Sequence, residues 1–160
     1  MQEIAKTRDF IIAGLAIVAA TFGLVRYSFG LFIPQISNDL DLSLDVIGMI
    51  AGGSYIGFLA ATLMAGWLSQ KFNPSLPIFI GGVCAAIGMG LVAISDNGYV
   101  LAVAVFIAGA SPGFAYPPFS EIIVRRVATE HQDTTYAWIN SGTGFGVALA
   151  GPIALFATLD

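Results

Sequence analysis

Hydrophobic residues run in long unbroken blocks along this chain, and polar residues gather in the short gaps between them. The blocks lie at 10–33, 46–69, 76–95, 99–124 and 136–159, and the gaps hold 3 to 12 residues. A helix rises 1.5 Å per residue, so roughly 20 apolar residues cover a hydrocarbon core of about 30 Å. A membrane barrel would show alternating strands of about 10 residues instead. The pattern predicts an all-α fold: a polytopic membrane helix bundle of five antiparallel spans in one membrane domain over residues 1–160. Pro34 is expected to end the first helix, and Asn73-Pro74 with Pro77 to separate the second from the third. Ser43 is placed to cap the second helix at its N-terminus.

Composition agrees, with 57% hydrophobic and 10% charged residues and a mean hydropathy of +0.85. The blocks leave almost nothing for a soluble domain, so the partner this chain must have is a lipid bilayer. The formal charge of −4 is dispersed over gaps and does not mark a surface seeking basic partners, and no nucleic acid is expected. Lys6 and Arg8 precede a first block too long for a cleaved signal peptide. Lys6, Arg8, Lys71, Arg125 and Arg126 fall on one side if the spans alternate, while Asp39, Asp41, Asp45, Asp96 and Asp160 fall on the other. The positive-inside rule then puts the N-terminus in the cytoplasm, with the plasma (bacterial inner) membrane as the location. Trp67 and Trp138 near the inner interface and Tyr99 near the outer one suit amphipathic anchors.

Glycine and alanine recur at spacings of four. The second block carries Gly48 and Gly52, then Gly53, Gly57, Ala61 and Ala65; the third carries Gly82, Ala86 and Gly90. Such stripes let membrane helices approach closely, either for packing alone or for sliding. The fourth block contains Pro112, Pro117 and Pro118, which remove backbone donors and are expected to kink or open the helix as gating elements. Broken backbone at membrane depth is tolerated where it lines a cavity.

Two charges lie inside the blocks, Arg26 and Glu121. A central arginine costs about 2.5 to 3.5 kcal/mol on insertion scales. It calls for a cavity-facing role or for structural pairing or snorkelling, Arg26 being about 12 Å by helical rise from Pro34. Glu121 differs from Arg26 in depth by something like 15 Å, so it suits a local i,i+4 pair with Arg125 or a proton-coupling carboxylate. Tyr27, Tyr55, Tyr116 and Asn140 are further candidates to line a cavity. His131 falls in a cytoplasmic gap beside Glu130 and Asp133, as a solvated residue. Cys84 has no intrachain disulfide partner. Metal-ligand clusters, nucleophile constellations and phosphate-binding loops are absent from the sequence, so neither an enzyme nor a cofactor or metal site is expected. The glycines of "SGTGFG" follow no strand and suit helix packing.

The chain resembles the N-terminal portion of a major facilitator superfamily transporter. "FGLVRYSFGLFIPQISNDLDLS" is similar to the first helix and loop of the YbfB/YjiJ-type branch, with its arginine–tyrosine pair. "GWLSQKFNPSLP" sits where the superfamily has the cytoplasmic signature loop Gly-x-Leu-Ala-Asp-Arg-x-Gly-Arg-Arg. Gly66, Leu68 and Lys71 fit it; Gln70, Asn73 and Pro74 depart from it. Gly151-Pro152 matches the antiporter motif without its flanking glycines, so no antiport is carried over. The resemblance implies a secondary transporter working by alternating access, with a central cavity lined by the first and fourth helices. It implies a small-molecule substrate, an anion where Arg26 is an unpaired cation, and proton coupling. It also implies 12 spans in two halves, so the five here are expected to be a fragment needing a missing C-terminal half or another chain. The alternative from another class is a small membrane scaffold or assembly subunit, with glycine stripes that bind helices and a structural arginine.

Overall fold

The structure, a computed structural model, describes residues 2–27 and 29–157, and the side chains of residues 8–27 and 29–155. Lys6 as a side chain, Asp160 and the last two positions of the fifth block lie outside these. The described chain is an all-α membrane helix bundle. Its elements are α1 (Gln2–Val18), a π-helical segment (Ala19–Tyr27), α2 (Phe29–Asp39), α3 (Leu44–Lys71), α4 (Ser75–Ala93), α5 (Gly98–Arg126) and α6 (Thr129–Ala157). The first three together make the first block's helix. Among the described residues four helices are long and apolar enough to cross a membrane: 8–39, α3, α4 and α5. The fifth expected span forms α6 but is not among the four, since Asn140, Ser141 and Thr143 dilute its apolar run.

The helix starts follow from local chemistry. Ser43 accepts from the Val46 amide at 3.4 Å, as expected of a cap. Asn73 Oδ1 accepts from the amides of Ser75 and Leu76, and Asn97 Oδ1 from those of Tyr99 and Val100. Two boundaries differ from expectation. Pro34 does not end the first helix; α2 runs on to Asp39 with Pro34 inside it. Ile36 and Leu40 beyond the proline pack against the buried Ile50, Leu101 and Val105, and that burial offsets one lost hydrogen bond. His131 lies in the first turn of α6 rather than in a loop, 3.8 Å from Glu130 and exposed.

The centre of the bundle is α5, with 61% of its apolar window buried against 22% in α3 and α4. It packs on α3 along one side and α4 along the other, while α6 lies against α1 and the π-helical segment. These contacts are made by small residues. A methyl added at Gly57 would stand 2.5 Å from the Phe106 carbonyl oxygen, and one at Gly109 equally close to that of Ser54. Gly113 abuts the Phe58 carbonyl, and Ala61 and Ala65 are fully buried beside it. On α4 the packed face is Gly81, Ala85 and Gly88, not the expected Gly82, Ala86 and Gly90, because α5 presents Ser111, Ala115 and Ala108 to it. Gly48, Gly52 and Gly53 on α3 face open space.

The three prolines of α5 do not interrupt it; the helix is continuous from Gly98 to Arg126. At Pro112 the reason is visible. Proline removes the amide that would bond the Ala108 carbonyl, and the hydroxyl of neighbouring Ser111 donates to that same oxygen at 2.7 Å. Pro112 and Pro118 are fully buried in the bundle. The irregular backbone lies instead in the first span, over Ala19–Tyr27.

Candidate functional site

Arg26 occupies the last turn of the π-helical segment. Helices with i→i+5 spacing are rare and cluster at functional positions. Here the segment lies against α6 at backbone distance: a methyl at Gly23 would stand 2.5 Å from the Gly146 Cα, and Gly146 abuts the Ala19 carbonyl.

The Arg26 guanidinium lies 4.4 Å from the ring centre of Phe58 and 4.6 Å from that of Tyr55, with Phe22 at 5.9 Å. Each such contact supplies about 0.5 to 2 kcal/mol, more where water is excluded. Two close rings therefore offset much of the roughly 2.5 to 3.5 kcal/mol an intramembrane arginine costs. Tyr55 and Phe58 are one turn apart on α3, and the glycine contacts of Gly57, Gly109 and Gly113 press that turn onto α5. Phe22 meets Phe58 edge-on at 6.3 Å and Tyr116 at 5.7 Å, so aromatic contacts join the first span, α3 and α5 beside the cation.

Among the described residues no carboxylate pairs with Arg26. The ion pairs are Arg8–Asp9, Glu121–Arg125 and His131–Glu130. Glu121 and Arg125 meet at 2.7 Å across one turn. Tyr27 is half exposed beside Arg26, and Asn140 is exposed on α6; no ring contact or hydrogen bond among the described residues ties Glu121 or Asn140 to the Arg26 group. Gly66, Leu68 and Lys71, expected in a cytoplasmic signature loop, lie instead in the last turns of α3: Gly66 faces open space, Leu68 packs against the Ala61–Ala65 cluster, and exposed Lys71 lies 4.7 Å from the Trp67 ring. Phe22 and Phe58 were not singled out from sequence, although Phe22 precedes Arg26 by four residues and "YIGF" spaces two aromatics by three.

A small cavity is lined by Val25, Arg26, Phe29, Ser54, Met89 and Ala108 among others. Its volume of about 50 Å³ suits a few waters, against the roughly 300 Å³ and more of a ligand pocket. Tyr55 is 62% exposed beside the guanidinium.

A sequence profile of the Major Facilitator Superfamily matches residues 15–159. The chain belongs to that superfamily. It is an integral membrane protein in a family of small-solute transporters. Over 132 residues this superfamily member is 28% identical to the hexuronate transporter of Bacillus subtilis (strain 168), an alignment covering 80% of the chain and 30% of the relative. The chain thus spans under a third of that relative's length.

Proposed function

We propose that this chain forms one wall of the substrate path in a secondary transporter for a small carboxylate-bearing solute of the sugar-acid class, with Arg26 as counter-charge. The observation that carries this reading is the guanidinium stacked on Tyr55 and Phe58 with no carboxylate partner among the described residues. The rings supply no hydrogen-bond acceptor to match its five donors, and the guanidinium fork fits a carboxylate through two parallel bonds. One cation suits one negative charge, which favours a monoanion over a phosphate dianion. A hexuronate, named for the relative, is such a monoanion with a ring that Tyr55 can face.

The relative's greater length supports an opposite wall contributed by further chain, closing over Arg26 in alternating access. Arg8 before the first span and Lys71, Arg125 and Arg126 at the ends of α3 and α5 support a cytoplasmic N-terminus. The arginine–tyrosine pair at Arg26-Tyr27 supports the YbfB/YjiJ-type branch.

The test is binding of glucuronate to the full-length protein in detergent, by titration calorimetry. Glucuronate is expected to bind and glucose, which lacks the carboxylate, is not; Arg26→Ala should abolish the binding. Unchanged glucuronate affinity in Arg26→Ala would sink the reading.

A further inference from the structure

Thr21 is fully buried in an apolar helix, and its hydroxyl donates to the Ile17 carbonyl at 2.8 Å. Ile17 is the penultimate residue of α1, directly before the π-helical segment begins at Ala19. Where a hydrogen-bond ladder changes from i→i+4 to i→i+5 spacing, backbone groups at the junction lose their regular partners, and a hydroxyl can replace one. Thr62 and Thr135 make the same bond, to Phe58 and His131, inside regular helix. The hydroxyl alone therefore does not widen a turn. Only at Thr21 does it coincide with the change of spacing.

We propose that Thr21 is a positioning residue for Arg26: its hydroxyl holds the wide-turn form of the first span and so sets the rotational register that lays the guanidinium on Tyr55 and Phe58. Each residue taken up by wide turns rotates all that follows by about 100° relative to a regular helix. Winding the segment back by one residue would bring Val25 over the two rings and turn Arg26 away. Val25 now sits buried with Ala85 and Ala108, so the register separates an apolar neighbour from the charge. The α6 contact favours the same register, because Gly23 lies against the Gly146 backbone with no room for a methyl, and winding back by one residue would give that place to Phe22. The geometric claim is independent of the solute; its consequence for transport rests on the proposed function.

The register can be read on α2, downstream of the segment. Gln35 is exposed and Ile36 half-buried, so in a full-length background with Cys84→Ser, Gln35→Cys should react with a maleimide several-fold faster than Ile36→Cys. Thr21→Val, which keeps the shape and removes the hydroxyl, is expected to erase or reverse that contrast. Thr21→Ser and the control Thr62→Val are expected to preserve it. Glucuronate affinity should fall about tenfold in Thr21→Val and recover in Thr21→Ser. If Thr21→Val gives no monodisperse protein, Thr21→Ala is read in the same way. A contrast that survives loss of the hydroxyl, or that Thr62→Val also erases, overturns the proposal. Loss of contrast in Thr21→Val alone, with glucuronate binding indifferent to Arg26→Ala, leaves the register assignment standing and removes only the solute.

Discussion

Arg26 lies 4.4 Å above the ring of Phe58, a residue whose own carbonyl is wedged against Gly113 of α5. The cation is thus held through an aromatic ring to the central helix of the bundle. Phe58→Leu keeps apolar bulk and removes the ring's charge-attracting face. It should weaken glucuronate binding roughly two- to thirtyfold, the equivalent of about 0.5 to 2 kcal/mol. A calorimetric titration equal to that of the parent would show that the stack does not hold the cation in its working position.

Arg26→Lys separates charge from shape. An ammonium keeps the positive charge but cannot offer two parallel donors. Binding in Arg26→Lys should be intermediate between the parent and Arg26→Ala. Full recovery by lysine would remove the argument for edge-on carboxylate recognition.

The glycines divide into two classes by position. Gly57→Leu and Gly113→Leu must drive a side chain into the backbone of the facing helix and should cost several kcal/mol, beyond the usual 1–3 kcal/mol of overpacking. Gly48→Leu, Gly52→Leu and Gly53→Leu point into open space and should be tolerated. The check is monodisperse yield and apparent melting temperature in detergent, and equal damage in both classes would contradict the packing described.

Ser111 and Pro112 form a compensating pair. Ser111→Ala leaves the Ala108 carbonyl without this donor and should destabilise by about 1 kcal/mol. In a Pro112→Ala background the amide returns and the same substitution should cost almost nothing. A double-mutant cycle reads the difference directly.

Glu121→Gln tests the local pair with Arg125. Arg125 is largely exposed, so the loss should be within about 0.5 kcal/mol. Glucuronate affinity should not change. A large loss of binding would move Glu121 from the helix surface into the solute path.

The all-α membrane class, the five long helical blocks, the cap at Ser43 and the oddity of Arg26 are legible in the sequence alone. Each depends on residues close together in the chain: an apolar run long enough to span a bilayer, a side chain two or three positions from the amide it accepts from, one charge among apolar neighbours. The same holds for the Glu121–Arg125 pair, which needs only one helical turn.

Tertiary structure decided the rest. Periodicity marked Gly82, Ala86 and Gly90 as a stripe, yet α5 packs on Gly81, Ala85 and Gly88, because an all-apolar helix carries no polar face to say which side is inward. Prolines predicted a kinked or opened α5; the helix runs unbroken from Gly98 to Arg126, with Ser111 supplying the bond that Pro112 removes, while the irregular backbone fell to the first span, where Gly23 and Gly146 bring two backbones together. The rings around Arg26 come from α3, far along the chain. Solvent exclusion acts on any apolar residue in the same way, so composition can commit a segment to the membrane; which side chains meet there depends on backbone approach between helices, and no single segment encodes that.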